Sequence, residues 1–274
     1  MTPTRAPTQR PLGGLARGLP PLGLLLAFFA LWEGTVRLLA VPAYLLPAPS
    51  AALRALVEQG DALWVGTEIT FASALLGFGV AALAGLGLGV AIFHSPLLER
   101  GLYPLLIASR NVPLFAIAPL LVVWLGFGLP PKVALGAFIA FFPVVVATLD
   151  GLRAIDPDYV ALMRVLGASR WRTFWTVRLP GALPAVFSGV KLGLVYAVLG
   201  AVFAEMVVGG QVWSPQGPAA GGLGYWIRVA TNFGRLDVAF ALVFWLSAGS
   251  LALFGLLALA ERWALRWQRV GRDQ

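Results

Sequence analysis

The sequence predicts an all-α polytopic membrane protein, one domain with six transmembrane helices, and three observations predict it. Of its 274 residues, 59% are hydrophobic and only 12% charged, and the mean hydropathy is +0.84; ordinary globular domains are about 45–50% apolar and about 25% charged. The apolar residues fall in continuous blocks near the ~20 residues needed to cross a hydrocarbon core of about 30 Å. They do not fall in the roughly ten-residue alternating segments of a β-barrel.

The elements follow in order. Residues 1–19, "MTPTRAPTQRPLGGLARGL", are basic and rich in Pro, Gly and Thr, which predicts an unstructured tail. The first span covers about residues 20–41; it is longer than the 7–15-residue apolar core of a signal peptide and is read as retained. The second covers about 66–93, where many glycines and alanines permit close helix packing in lipid. The third covers about 101–127 and contains Pro104, Pro113 and Pro119. The fourth covers about 132–152, the fifth about 182–208 and the sixth about 237–261. An outer loop rich in glycine, with the insert "VWSPQGPAAG", turns helical from about Leu223. The membrane domain thus runs over 20–263, with a basic tail at 264–274.

Charge sets the orientation. With six spans both termini share a side, which collects Arg5, Arg10, Arg17, Arg100, Arg153, Arg164, Arg170, Arg172, Arg178, Arg262, Arg266, Arg269 and Arg272. The other side carries Arg54, Lys132, Arg228 and Arg235. By the positive-inside rule both termini are cytoplasmic. The net charge of +8 is then topology and contact with anionic lipid heads, and needs no nucleic-acid partner. With no cysteine, disulfides and thiolate sites are excluded. The one histidine, His94, beside a helix end and without a carboxylate pair, is read as a surface residue rather than a metal ligand.

Residues 153–181 form the one sizeable cytoplasmic loop between spans. Asp156-Pro157-Asp158 starts a helix, since proline and acids suit the first turn. "YVALMRVL" continues it until Gly167, which readily takes a left-handed cap. Ser169 caps a second helix, "RWRTFWTV", and Leu179-Pro180 is expected to stop it before the fifth span. Trp171, Phe174 and Trp175 with Arg170 and Arg172 are residue types enriched at interface centres. An interfacial turn with its tryptophans in the headgroup belt explains the same composition.

The run "DPDYVALMRVLGASRWRTFWTVRLPGALPAVFSG" resembles the signature loop of bacterial ABC-importer permeases: Glu-Ala-Ala, three residues, Gly, nine residues, Ile-x-Leu-Pro. Gly167 takes the glycine place, and Val177, Leu179 and Pro180 the end, at the same spacing. Ala161, Leu162 and Met163 stand where the family has Glu-Ala-Ala, so the acidic residue is missing. "YLLPAPSAAL", "NVPLFAIAPLLVVWLGFGLPPKV", "FFPVVVATLDGLRAIDP", "GAVFAEM" and "GLGYWI" extend the resemblance over about 20–267, within the branch for nitrate, sulfonate, taurine and pyrimidine-type solutes. It implies the type I ABC importer permease fold, with the loop as a coupling helix docked on a cytoplasmic ATPase. Asp158, Ala168, Ser169, Arg170, Trp171 and Arg172 fall inside that element. It further implies two ATPase subunits, a second permease chain, a periplasmic binding protein poised near the outer loop, and a bacterial inner-membrane location. "LMRVLGASRW" and "FSGVKLGLVYAVLGAVFAE" look most like permeases for thiamine-precursor pyrimidines or riboflavin.

The chain itself carries no sign of catalysis or of a cofactor. A P-loop needs Gly-x-x-x-x-Gly-Lys-Ser/Thr, and the two lysines, Lys132 and Lys191, follow Pro131 and Val190. ATP hydrolysis therefore belongs to a separate subunit. An ion-driven carrier is the alternative; it calls for an inverted repeat and midplane acids, and no clear repeat is visible. A membrane-embedded enzyme lacks its constellation.

Ionisable residues within spans are costly and functionally suspect. Glu33 and Arg37, four apart, predict a structural pair. Arg110 and Asn111 precede Pro113, where a broken helix frees a carbonyl; they are candidates to line a pathway, or Arg110 snorkels to headgroups. Lys191 and Glu205 lie on one helix with faces some 40° apart at about 100° per residue. Either both line a pathway, or they pack against a partner chain.

Overall fold

A computed structural model describes residues 14–109, 111–208 and 221–268, which are helical without strands. The helices are α1 (Gly14–Leu38), α2 (Pro49–Glu58), α3 (Gly60–His94), α4 (Pro96–Ser109), α5 (Leu114–Leu125), α6 (Leu129–Arg153), α7 (Pro157–Val165), α8 (Arg170–Thr173), α9 (Leu179–Val208), α10 (Leu223–Asn232) and α11 (Leu236–Ala264). A π-helical turn, Phe174–Arg178, joins α8 to α9.

Five helices are long and apolar enough to cross a membrane: Pro20–Leu38, Leu63–His94, Leu129–Arg153, Arg170–Val207 and Leu236–Ala264. The expected third span is not one helix but two short ones, α4 and α5, of 14 and 12 residues. Proline lacks an N–H and biases the preceding residue away from the helical region. Pro113 itself is extended, with ψ of 118°, as the residue that precedes α5. The last donors before it make tight bonds, Asn111 N–H to Ala108 O at 3.1 Å and Val112 N–H to Ser109 O at 3.2 Å. Pro104 and Pro119 are absorbed within helices.

The core is α6 with α3 and α9 packed against it. Side chains four residues apart share a helix face. On α3 that face is Gly77, Ala81, Gly85 and Gly89; on α9 it is Gly189, Gly193, Ala197 and Ala201. Small residues let backbones approach where lipid offers no hydrophobic drive between helices. A methyl group at Gly85 would lie 2.9 Å from Val144 Cβ, and one at Gly89 2.8 Å from Thr148 Cβ. Leu135, Val144, Val145, Leu149 and Leu152 of α6 are fully enclosed.

The periphery is looser. Trp32 and Phe29 of α1 meet Phe240 and Phe244 of α11 edge-on, at 5.5 and 5.9 Å. Glu33 binds Arg37 at 2.6 Å, as expected, and also takes the Ser50 N–H at 3.0 Å. A carboxylate thus sits at the positive end of the α2 dipole.

Candidate functional site

Three places in the fold hold the residues singled out from the sequence. The first is the element between α6 and α9. Asp156 caps α7 by accepting the Asp158 N–H at 2.9 Å. Gly167 has φ of +74°. Its N–H bonds Arg164 O at 3.0 Å while the Ala168 N–H bonds Met163 O at 2.9 Å, the paired bonds of a Schellman cap. Ser169 then caps α8 through the Arg172 N–H at 3.2 Å.

Leu179-Pro180, however, does not stop the second helix. The Leu179 N–H reaches back five residues to Phe174 O. Widening the helix by one residue accommodates a ring that lacks a donor and would crowd the carbonyl four residues earlier. The helix therefore continues through Val177 and Pro180 into α9, and Arg170–Val207 forms one continuous run of 38 residues.

This element has two faces. Ala161, Leu162, Arg170, Trp171 and Arg172 are exposed, as are Tyr159, Val165, Leu166 and Trp175, a run of apolar surface. Phe174 points inward, 4% exposed, among Leu152, Ala182 and Val186. Trp171 stacks on it at 6.2 Å, and His94, the last residue of α3, meets it edge-on at 4.8 Å. Arg178 donates to Leu152 O at 3.1 Å, a carbonyl at the negative end of α6, and lies 4.9 Å over the Phe93 ring. Arg153 at the end of α6 pairs with Glu99 of α4.

The second place is a buried polar junction at the opposite end of the core. Glu205 is 0% and Lys132 1% exposed, with Nζ 3.6 Å from Oε1. Glu205 Oε2 accepts the Thr70 hydroxyl at 2.8 Å and the Gly224 N–H at 3.0 Å. Thr70 Oγ1 in turn accepts the Leu223 N–H at 2.8 Å. The start of α10, where the sequence placed it, is thereby held by groups from α3 and α9, with Lys132 of α6 beside the carboxylate. Gly222 and Gly224 lie against the Glu205 side chain, leaving no room for a Cβ. Thr70 and Lys132 were not singled out from the sequence. The signal was the four-residue series Gly189, Gly193, Ala197, Ala201, which Glu205 continues onto the face that meets α6.

Lys191 goes elsewhere. Its Nζ lies 2.6 Å from Glu261 Oε2 of α11, both about 18% exposed, and 5.9 Å over Phe254. Lys191 and Glu205, on nearby faces of α9, thus pair with different neighbours, Lys191 with Glu261 of α11 and Glu205 with Lys132 of α6.

The third place is a cavity of about 840 Å³ beside the α4–α5 break. It is lined by Ser109, Asn111, Val112 and Pro113, by Phe138, Ile139, Phe142, Pro143, Val146, Ala147 and Asp150 of α6, and by Leu192, Tyr196 and Phe203 of α9. Asn111 and Pro113 are thus at the cavity. Arg110, and the insert up to residue 220, lie outside the described residues. Asp150 and Tyr196 were not foreseen; the i, i+4 series Phe138, Phe142, Val146, Asp150 on α6 is the pattern that marks this face. Among the described residues no cluster suited to a metal ion is present.

Residues 77–266 match the family described as binding-protein-dependent transport system inner membrane component. The chain is 35% identical to the riboflavin transport system permease protein of Chloroflexus aurantiacus, over 92% of this chain and 91% of that one. It is 30% identical to the formylaminopyrimidine transport permease protein of Halalkalibacterium halodurans, over 92% and 97%, and 31% identical to the taurine transport system permease protein of Escherichia coli, over 80% and 79%. Among solved structures, an inward-facing methionine ABC transporter matches with a TM-score of 0.59 at 20% identity, over 76% of this chain and 97% of that one.

Proposed function

Because this chain belongs to the binding-protein-dependent transport inner-membrane family, as a permease subunit of an ABC importer, we propose that two copies form the pathway and two ATPase subunits drive it. The ATPases dock on the loop spanning 153–181, at the face carrying Leu162, Trp171, Trp175 and Arg172. Both termini and this loop are cytoplasmic, and the broken pair α4–α5 completes six crossings within a membrane domain of 20–263. A periplasmic binding protein delivers solute above α10. The solute is small, polar and organic, of the thiamine-precursor pyrimidine, riboflavin or sulfonate, taurine and nitrate type. It passes the cavity at Asn111 and Pro113, with Arg110 a further candidate. Lys191 and Glu205 serve the pathway by holding α9 to α11 and α10.

One observation carries this reading. The loop combines an exposed aromatic face with a buried attachment, Phe174 and Arg178, to the ends of α3 and α6. Such an element passes a docked partner's movement into the membrane core. The missing acid at Ala161 leaves the docking to aromatic and arginine contacts.

Gly167→Pro or Trp171→Asp is expected to leave membrane insertion intact while separating ATP hydrolysis from uptake. Gly167 holds a positive φ closed to proline, and the aspartate places a charge at the centre of the docking face. Full transport and full co-purification with the ATPase in both variants would overturn the assignment.

A further inference from the structure

The two ion pairs on α9 are built differently. Lys191 and Glu261 meet at 2.6 Å and stay partly exposed. Lys132 and Glu205 are shut in, 1% and 0% exposed, with Nζ 3.6 Å from Oε1. That is beyond the about 2.7–2.9 Å of a charge-assisted hydrogen bond. Neither of these two atoms has a hydrogen-bond partner among the described residues. The neighbouring contacts, by contrast, are made. Glu205 Oε2 takes the Thr70 hydroxyl and the Gly224 N–H, and Thr70 Oγ1 takes the Leu223 N–H.

The start of α10 covers the pair. A methyl group at Gly222 would collide with the Glu205 carboxylate, and one at Gly224 with the Val202 carbonyl. Mutual attraction offsets the lost hydration of two buried charges only where the geometry is good and further hydrogen bonds are made. Here the separation is long, and one atom on each partner is left over. Water reaching Nζ and Oε1 would supply the missing bonds. Two opposed effects therefore meet at the junction. The N–H bonds to Thr70 and Glu205 draw the cover down, and hydration of the pair favours lifting it.

From this we propose that Thr70, Lys132 and Glu205 are the positioning residues of an outer gate formed by the start of α10. Thr70 and Glu205 Oε2 close it, and the under-bonded Lys132–Glu205 pair keeps it ready to open. The inference rests on the importer reading above for the direction this end faces, and adds what holds the gate and what releases it.

The test is hydrogen–deuterium exchange of the permease–ATPase complex in lipid nanodiscs without nucleotide, read by mass spectrometry on peptides spanning residues 221–232. Exchange of these amides reports local opening. Lys132→Met and Glu205→Gln each leave one buried charge alone, and each speeds exchange about fivefold or more. The double change removes both charges and keeps an acceptor for Thr70 and Gly224, so exchange falls about fivefold or more below the parent. Thr70→Val loses two closing bonds and speeds exchange about tenfold. A pair that merely holds the fold together gives the other order, with the double variant looser than the parent. Unchanged exchange over residues 144–152 of α6 establishes that the core of each variant is folded. Exchange in the double variant equal to or faster than in the parent, or no acceleration in the three single variants, overturns the inference. A nonhydrolysable ATP analogue speeds α10 exchange in the parent. A parent that does not respond counts against the importer reading, whereas the order of the variants without nucleotide decides the gate.

Discussion

Glu205 and Lys132 allow a quantitative test of how the core is held. At 3.6 Å and an effective dielectric of about 20, their attraction is about 4–5 kcal/mol. The two are not equivalent. Glu205 keeps hydrogen bonds from Thr70 and Gly224 when Lys132 is lost, whereas Lys132 Nζ has no hydrogen-bond partner in the described structure. Glu205→Ala therefore strands a buried ammonium and frees two donors, at a cost of about 3–5 kcal/mol. Lys132→Met removes the cation and leaves a buried carboxylate whose Oε2 stays bonded to Thr70 and Gly224 while Oε1 has no hydrogen-bond partner, at about 3 kcal/mol, the lower end for breaking a buried pair. In Lys132→Met with Glu205→Gln, the glutamine can still accept from Thr70 and Gly224 with no charge left buried, so the double change costs less than Glu205→Ala alone. The assay is denaturant unfolding of the purified transporter, followed by tryptophan fluorescence, for Glu205→Ala, Glu205→Gln, Lys132→Met and the double. Equal costs for Glu205→Ala and Lys132→Met, with strict additivity of Lys132→Met and Glu205→Gln, would refute the reasoning that charge coupling and the α10 cap act together here.

Two further outcomes follow from the packing. Gly85→Val forces α3 away from Val144 and Phe141 of α6; overpacking of this kind costs about 1–3 kcal/mol, read as a lowered unfolding midpoint, while Gly87→Val, with nothing near its Cβ position, stays close to the parent. Arg178→Gln removes the guanidinium from the Leu152 carbonyl and the Phe93 ring. It is expected to lower uptake per ATP hydrolysed, with Arg178→Lys intermediate because it keeps the charge but loses the planar fork; an unchanged ratio in both variants removes Arg178 from the coupling route.

The sequence carried local instructions well and long-range pairings poorly. Ser169, Gly167 and the start of α10 at Leu223 were legible because each acts within a few residues: a hydroxyl reaching an N–H, a backbone needing positive φ, a helix beginning after glycines. The small-residue face of the second span was legible for the same reason. Pro113 was legible as the break because the polar pair Arg110-Asn111 precedes it; Pro104 and Pro119 fit within helices. Pro180 was misread as a stop because the helix widens by one residue before it and so carries a ring that an α-helical register would exclude. The Lys132 and Glu205 pairing joins groups far apart in the chain, and Thr70 is a common residue until its neighbours are known. Lys191 found Glu261 across 70 positions, which helix geometry within α9 alone had no means of supplying.

The uninterrupted run from Arg170 to Val207 has a mechanical consequence. From Trp171 to Glu205 it measures about 50 Å at 1.5 Å per residue, and its glycine and alanine face rests on α6 near the middle. Such an arrangement behaves as a see-saw. A tilt of about 10° about its midpoint would swing the two ends some 4 Å in opposite directions, about three helical residues of rise. The aromatic surface at one extremity and the carboxylate that holds α10 at the other are thus displaced together, by an amount comparable with the radius of a small solute. In the importer reading proposed above, opening at one membrane face and closing at the other then need no separate relay, since one continuous helix reaches both.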